Sequence, residues 1–128
     1  MGMDYIYAGS ASYPRFDREL CAVAKVFGGE LTEEIMKRKE NISGIDYWFG
    51  FLSSLPPGKT PSKFLFPSNT NKTLVKWFNN IYSDEFSLKE TQEVWEEIRK
   101  HPEIQDISYQ IWLELNTLCQ SKEIWNIQ

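Results

Sequence analysis

Apolar residues recur along most of this chain at the spacing of one helix face, and the clearest stripes lie in its second half. Leu20, Val23, Ala24 and Phe27 fall at i, i+3, i+4 and i+7, which predicts a helix from Phe16 that Gly28-Gly29 ends in a left-handed turn. Thr32 is placed to cap a short helix with Glu33 and Glu34 in its first turn and Lys37, Arg38 and Lys39 at its end, an order that complements the helix dipole. Leu31, Ile35 and Met36 are its apolar contribution. Asp46 can cap a third segment, Tyr47-Trp48-Phe49-Gly50-Phe51-Leu52, which is apolar around most of its circumference and so reads as buried. Pro56, Pro57 and Pro61 end regular structure and open a long connector.

Three better-defined helices follow. Leu74, Val75, Trp77, Phe78, Ile81 and Tyr82 form a broad stripe with Lys72, Lys76 and Asn79 opposite. Ser87-Leu88-Lys89-Glu90 is a capping box. The helix it opens turns Leu88, Thr91, Val94, Trp95 and Ile98 inward and Glu93, Glu96, Glu97 and Lys100 outward. Pro102 either stops that helix or starts the next one at its first position. The last helix carries Ile104, Ile107, Ile111, Trp112, Leu115, Leu118 and Cys119 on one wide face, with Leu113 embedded on the other side.

Strand candidates are few. Tyr5-Ile6-Tyr7-Ala8 reads as extended or as a frayed turn, before a serine-rich connector from Gly9 to Pro14. Phe64-Leu65-Phe66 is a short strand or a loop pinned to the core, and Ile124-Trp125-Asn126-Ile127 is too apolar to dangle. The expectation is one all-α, or nearly all-α, domain over residues 1–128 with five or six helices. Any sheet is a minor element made from Tyr5–Ala8, Phe64–Phe66 and Ile124–Ile127.

Composition adds bounds. At 128 residues, 41% apolar and 25% charged, the chain can bury a real core without metal or disulfide staples. No apolar run approaches the roughly 18 residues a membrane span needs. The start, Met1-Gly2-Met3-Asp4-Tyr5, lacks the basic and apolar regions of a secretory signal, and Ile6 stands where myristoylation wants Ser or Thr. A cytoplasmic protein is expected, with Cys21 and Cys119 as small reduced hydrophobes.

The net charge of −4 conceals an asymmetry: residues 1–83 carry ten Lys and Arg against eight Asp and Glu, and residues 84–128 carry four against ten. The halves are therefore +2 and −6. An acidic half disfavours direct nucleic-acid contact and favours steering toward a basic protein.

Candidate chemistry is sparse. His101, the one histidine, sits before Pro102 at a helix junction and suits helix-end hydrogen bonding better than catalysis. Gly58-Lys59-Thr60 resembles the end of a phosphate-binding loop, but Ser53 stands where that motif wants glycine, and Pro57 and Pro61 bracket it. The basic residues Arg15, Arg18, Lys25, Lys37, Arg38 and Lys39 are interrupted by Asp17, Glu19 and Glu40. Glu93, Glu96 and Glu97 read either as a solvated acidic face or as a docking surface for a basic protein. Five Trp, six Tyr and eight Phe can fill a core and still supply interface anchors. Binding is therefore expected rather than turnover, with no catalytic residue, metal site or cofactor.

Residues 5–29, YIYAGSASYPRFDRELCAVAKVFGG, together with Tyr47-Trp48-Phe49-Gly50-Phe51 and Leu74-Val75-Lys76-Trp77-Phe78-Asn79-Asn80-Ile81-Tyr82, resemble small bacterial immunity proteins of contact-dependent growth-inhibition systems. The resemblance implies a cytoplasmic protein that binds a cognate toxin C-terminal domain, often a basic nuclease, and performs no chemistry. It assigns no interface residues. Charge logic places the partner-binding surface on Asp84, Glu85, Glu93, Glu96 and Glu97. The alternative is a non-catalytic adaptor or regulatory module unrelated to toxins.

Overall fold

The computed structural model describes residues 2–33, 35–37, 63–81 and 86–127. The segment Asp46–Leu52, the Gly58-Lys59-Thr60 turn, Asp84 and Glu85 lie outside the described residues. The chain is mostly helical, with two short two-stranded antiparallel sheets. Its elements run β1 (Gly2–Asp4), β2 (Ser10–Ser12), α1 (Tyr13–Val26), β3 (Glu30–Leu31), β4 (Phe64–Leu65), α2 (Lys72–Asn79), α3 (Leu88–Ile98), α4 (Ile104–Ile107) and α5 (Tyr109–Gln120). β1 pairs with β2 through Met3 and Ala11, and β3 pairs with β4 through Leu31 and Phe64.

Local chemistry explains most boundaries. The Ser12 side chain caps α1 by accepting from the Arg15 N–H, and Pro14 occupies the first turn, where its missing N–H is harmless. At the far end Gly28 adopts φ +78°, and the N–H of Gly29 returns to Ala24 O at 2.8 Å, the expected left-handed stop. Gly29 has a separate reason to lack a side chain: a Cβ there would overlap the Phe66 ring. A helical turn follows Thr32, with the Met36 N–H on Thr32 O at 3.0 Å. The capping box is complete: Glu90 N–H donates to Ser87 Oγ at 3.0 Å, and Ser87 N–H donates to Glu90 Oε1 at 3.0 Å.

One apolar cluster joins the elements. α1 contributes Phe16, Leu20, Val23 and Ala24; α2 contributes Leu74, Trp77 and Phe78; α3 contributes Val94, Trp95 and Ile98. Ile104, Ile111, Leu115 and Leu118 complete the wall from α4 and α5. The segment after α5 docks as expected, but not as a strand. Trp125 is fully buried, its indole N–H donates to Ile81 O at 2.8 Å, and its backbone N–H donates to Thr91 Oγ1 at 3.0 Å.

One open alternative is decided and three local expectations are corrected. Tyr5–Ala8 is the loop of the first hairpin rather than a strand, and the serine-rich connector supplies β2 and the cap of α1. The cause is Glu114, fully buried on α5. Its Oε2 accepts from Ile6 N at 2.7 Å, and its Oε1 accepts from Tyr7 N at 2.8 Å and Ala8 N at 3.2 Å, so the loop amides converge on a carboxylate instead of a neighbouring strand. The last apolar stripe is two helices, because the buried Ser108 leaves helical geometry at φ −149° and ψ 92° and caps α5 by accepting from the Ile111 N–H. Leu113 is half-buried rather than embedded. Asn79 does not face solvent: its Oδ1 accepts from Lys63 N at 2.8 Å and Phe64 N at 2.7 Å, fastening β4 to α2.

Candidate partner-binding site

α3 is the element on which the acidic residues were expected to act, and its position is fixed from two sides. On one side α2 is tied to it: Lys76 Nζ meets Glu90 Oε2 at 2.6 Å, and Thr73 Oγ1 donates to Glu93 Oε2 at 2.6 Å. The Lys76 ammonium beside it holds the Glu90 carboxyl below the usual range. On the other side α3 packs on α5, its most extensive helix contact. Trp95 and Trp112 meet edge to face with centroids 4.9 Å apart, while Cys119 lies 3.8 Å from Thr91 O. These pairings run in opposite chain directions, so the two helices are antiparallel.

The structure separates the carboxylates that the sequence grouped. Glu93 is half-buried and committed to Thr73 of α2. Glu97 is 23% exposed and pairs with Lys100 at 3.1 Å. Glu96 is 64% exposed and, among the described residues, pairs with Arg99 through one guanidinium nitrogen at 3.5 Å. An exposed pair at that distance contributes little to stability and leaves the carboxylate available. Of the three, Glu96 is the open acid.

Glu96 also borders a feature that sequence reasoning missed. An open groove of about 540 Å³ runs between α3 and α5. Gln92, Trp95, Glu96 and Arg99 line its α3 wall; Asn116, Cys119 and Gln120 line its α5 wall. The signal was present as two stripes, residues 92, 95, 96, 99 and residues 112, 116, 119, 120, each mixing carboxamides with aromatic or thiol groups. Burial pushes the Cys119 thiol up to about 11, and Cys21 and Cys119, neither of them in a disulfide, pack against the core.

The remaining singled-out groups take structural positions. His101 stacks edge-on against Phe27 at 4.9 Å, with Nδ1 3.4 Å from Glu103 Oε1, at the junction after α3. Asp17, which interrupts the basic residues in the sequence, is buried on α1, and it interacts electrostatically with the buried Lys63. Among the described residues no group of three His, Cys, Asp or Glu side chains could hold a metal ion, and no helix is long and apolar enough to cross a membrane. Comparison with protein-family models, curated proteins and solved structures finds no match.

Proposed function

We propose that this chain is an immunity protein that binds and neutralises a basic toxin domain, of nuclease type, in the cytoplasm of the cell that makes both. It acts by occupying the toxin's cationic cleft and performs no chemistry of its own. The observation that carries this reading is Glu96, an open carboxylate on a helix that is capped at Ser87 and braced by α2 and α5. A charge held on a rigid helix loses little ordering entropy on docking, and it steers a cationic partner toward the acidic half of the chain.

The test is a growth-protection assay against the toxin domain encoded beside this chain's gene, paired with titration calorimetry. Wild-type protein is expected to protect and to bind tightly. Glu96→Lys is expected to weaken binding by about tenfold or more, because a like charge would face the partner's cations. Failure of the wild type to bind or protect would remove the toxin reading and leave a regulatory binding module. Unchanged affinity of Glu96→Lys would move the interface away from α3.

A further inference from the structure

The groove between α3 and α5 offers a chemistry that a plain acidic face lacks. We propose that it holds an extended main-chain segment of a basic partner, with a lysine or arginine of that segment paired to Glu96. This rests on the reading that the chain works by binding a cationic protein, and it goes further by naming what enters the groove.

Three carboxamides converge there: Gln92 from α3, and Asn116 and Gln120 from α5. Each carries a donor and an acceptor on one planar group, the pairing that a peptide N–H and C=O require. Elsewhere such groups serve the fold. Asn71 caps α2, Asn79 fastens β4, Asn80 bonds Lys76 O, and Gln110 holds Ala8 O and Ser10 O. Among the described residues, the side chains of Gln92, Asn116 and Gln120 make no such internal bond, and they are left facing the groove.

The spacing fits an extended chain. Asn116 and Gln120 stand one i, i+4 step apart, about 6 Å along the helix axis. An extended strand presents equivalent groups every second residue, roughly 6.6–6.8 Å apart. Two successive carboxamides on α5 can therefore meet alternate residues of one segment, and Gln92 and Glu96 repeat the same step on the opposite wall.

The remaining lining selects the side chain. The Trp95 indole, only 9% exposed, belongs to the apolar floor of the groove, over which the methylene stem of a long cationic residue can lie. Glu96 provides the counter-charge within an acidic half of −6. Arg99, at the other end of the α3 wall, is a donor-only group suited to a main-chain carbonyl of the same segment.

The experiment is a heteronuclear NMR titration of the full chain with a blocked octapeptide of alternating lysine and threonine. A glutamate–threonine octapeptide of the same length serves as control. The lysine peptide is expected to shift the side-chain amides of Gln92, Asn116 and Gln120 and the Trp95 indole N–H. Its affinity should fall about tenfold in Asn116→Leu and again in Glu96→Lys, and the glutamate peptide should leave the groove signals in place. Shifts confined to other surfaces, equal shifts from both peptides, or unchanged affinity in Asn116→Leu would each overturn the proposal. Groove shifts in a protein that fails the protection assay would sink the toxin reading alone. A blank titration in a protein that protects would sink the groove proposal alone.

Discussion

Replacing Glu114 with glutamine tests whether the N-terminal hairpin is held by a buried carboxylate. In the native chain the two carboxylate oxygens take three successive backbone N–H groups, from Ile6, Tyr7 and Ala8. Glutamine keeps the shape but has one accepting oxygen. If that oxygen faces Tyr7 and Ala8, the amide NH2 is driven against the Ile6 N–H, and one buried donor loses its partner. A hydrogen bond to a charged acceptor contributes about 1.5–3 kcal/mol, and an orphaned buried donor costs about 1–3 kcal/mol. Removing a buried charge offsets part of this through relieved desolvation. The net expectation is a loss of about 2–3 kcal/mol. For a chain of 128 residues this lowers the melting temperature by about 10 °C. Circular dichroism melts read the shift, and hydrogen exchange at Ile6, Tyr7 and Ala8 localises it. A melting temperature within a degree or two of wild type, with those three amides still protected, would refute the reasoning.

Other outcomes follow from the same geometry. Burial lowers the Lys63 ammonium from 10.5 to about 8, although the nearby Asp17 carboxylate pulls the other way. Between those values the unfolded chain binds a proton that the folded chain lacks, so stability rises with pH across that window. The Cys119 thiol, raised from 9 to about 11, and the buried Tyr5 phenol, raised further, act in the opposite sense above pH 9. Lys63 therefore dominates between pH 8 and 9, contributing about 1 kcal/mol, of which the onset of Cys119 ionisation offsets about a third, so the urea midpoint should still climb; a slope that persists in Lys63→Met would refute the assignment. Ser87→Ala removes one half of the capping box and should cost about 1 kcal/mol, measured by denaturant unfolding, with a loss under a few tenths counting against the cap.

The helices were legible because their apolar stripes and their caps agree. Ser87-Leu88-Lys89-Glu90, the glycine stop at Gly28 and the stripe through Trp77 and Phe78 each carry local information that tertiary packing did not override. Ser108 was illegible because Ile104, Ile107 and Ile111 continue the helical period across it. Its role depends on being buried, a property absent from the spacing. Strands of two or three residues fall below any periodicity, so β2 and β3 left no pattern. Glu114 was missed for a different reason: its partners lie more than a hundred residues away in sequence, and an acid beside an apolar stripe ordinarily reads as solvated. For the candidate site, the sequence grouped Glu93, Glu96 and Glu97 as equivalent members of one outward helix face. Only the placement of α2, whose Thr73 donates to Glu93, separates Glu93 from Glu96.

The docking of Trp125 sets an order of events during synthesis. Its indole is held by Ile81, 44 residues earlier, and its backbone by Thr91 at the start of α3, whose hydroxyl also bonds Ser87 O. At roughly 5–20 residues per second, a few seconds separate the emergence of Ile81 from that of Trp125. During that interval the slot beside Trp77 and Tyr5 stands empty, and the first turn of α3 lacks its brace. A fragment cut short before Trp125 thus keeps the contacts of α3 with α2 and α5 but lacks the brace on its first turn, and that turn is completed only after Trp125 has been translated.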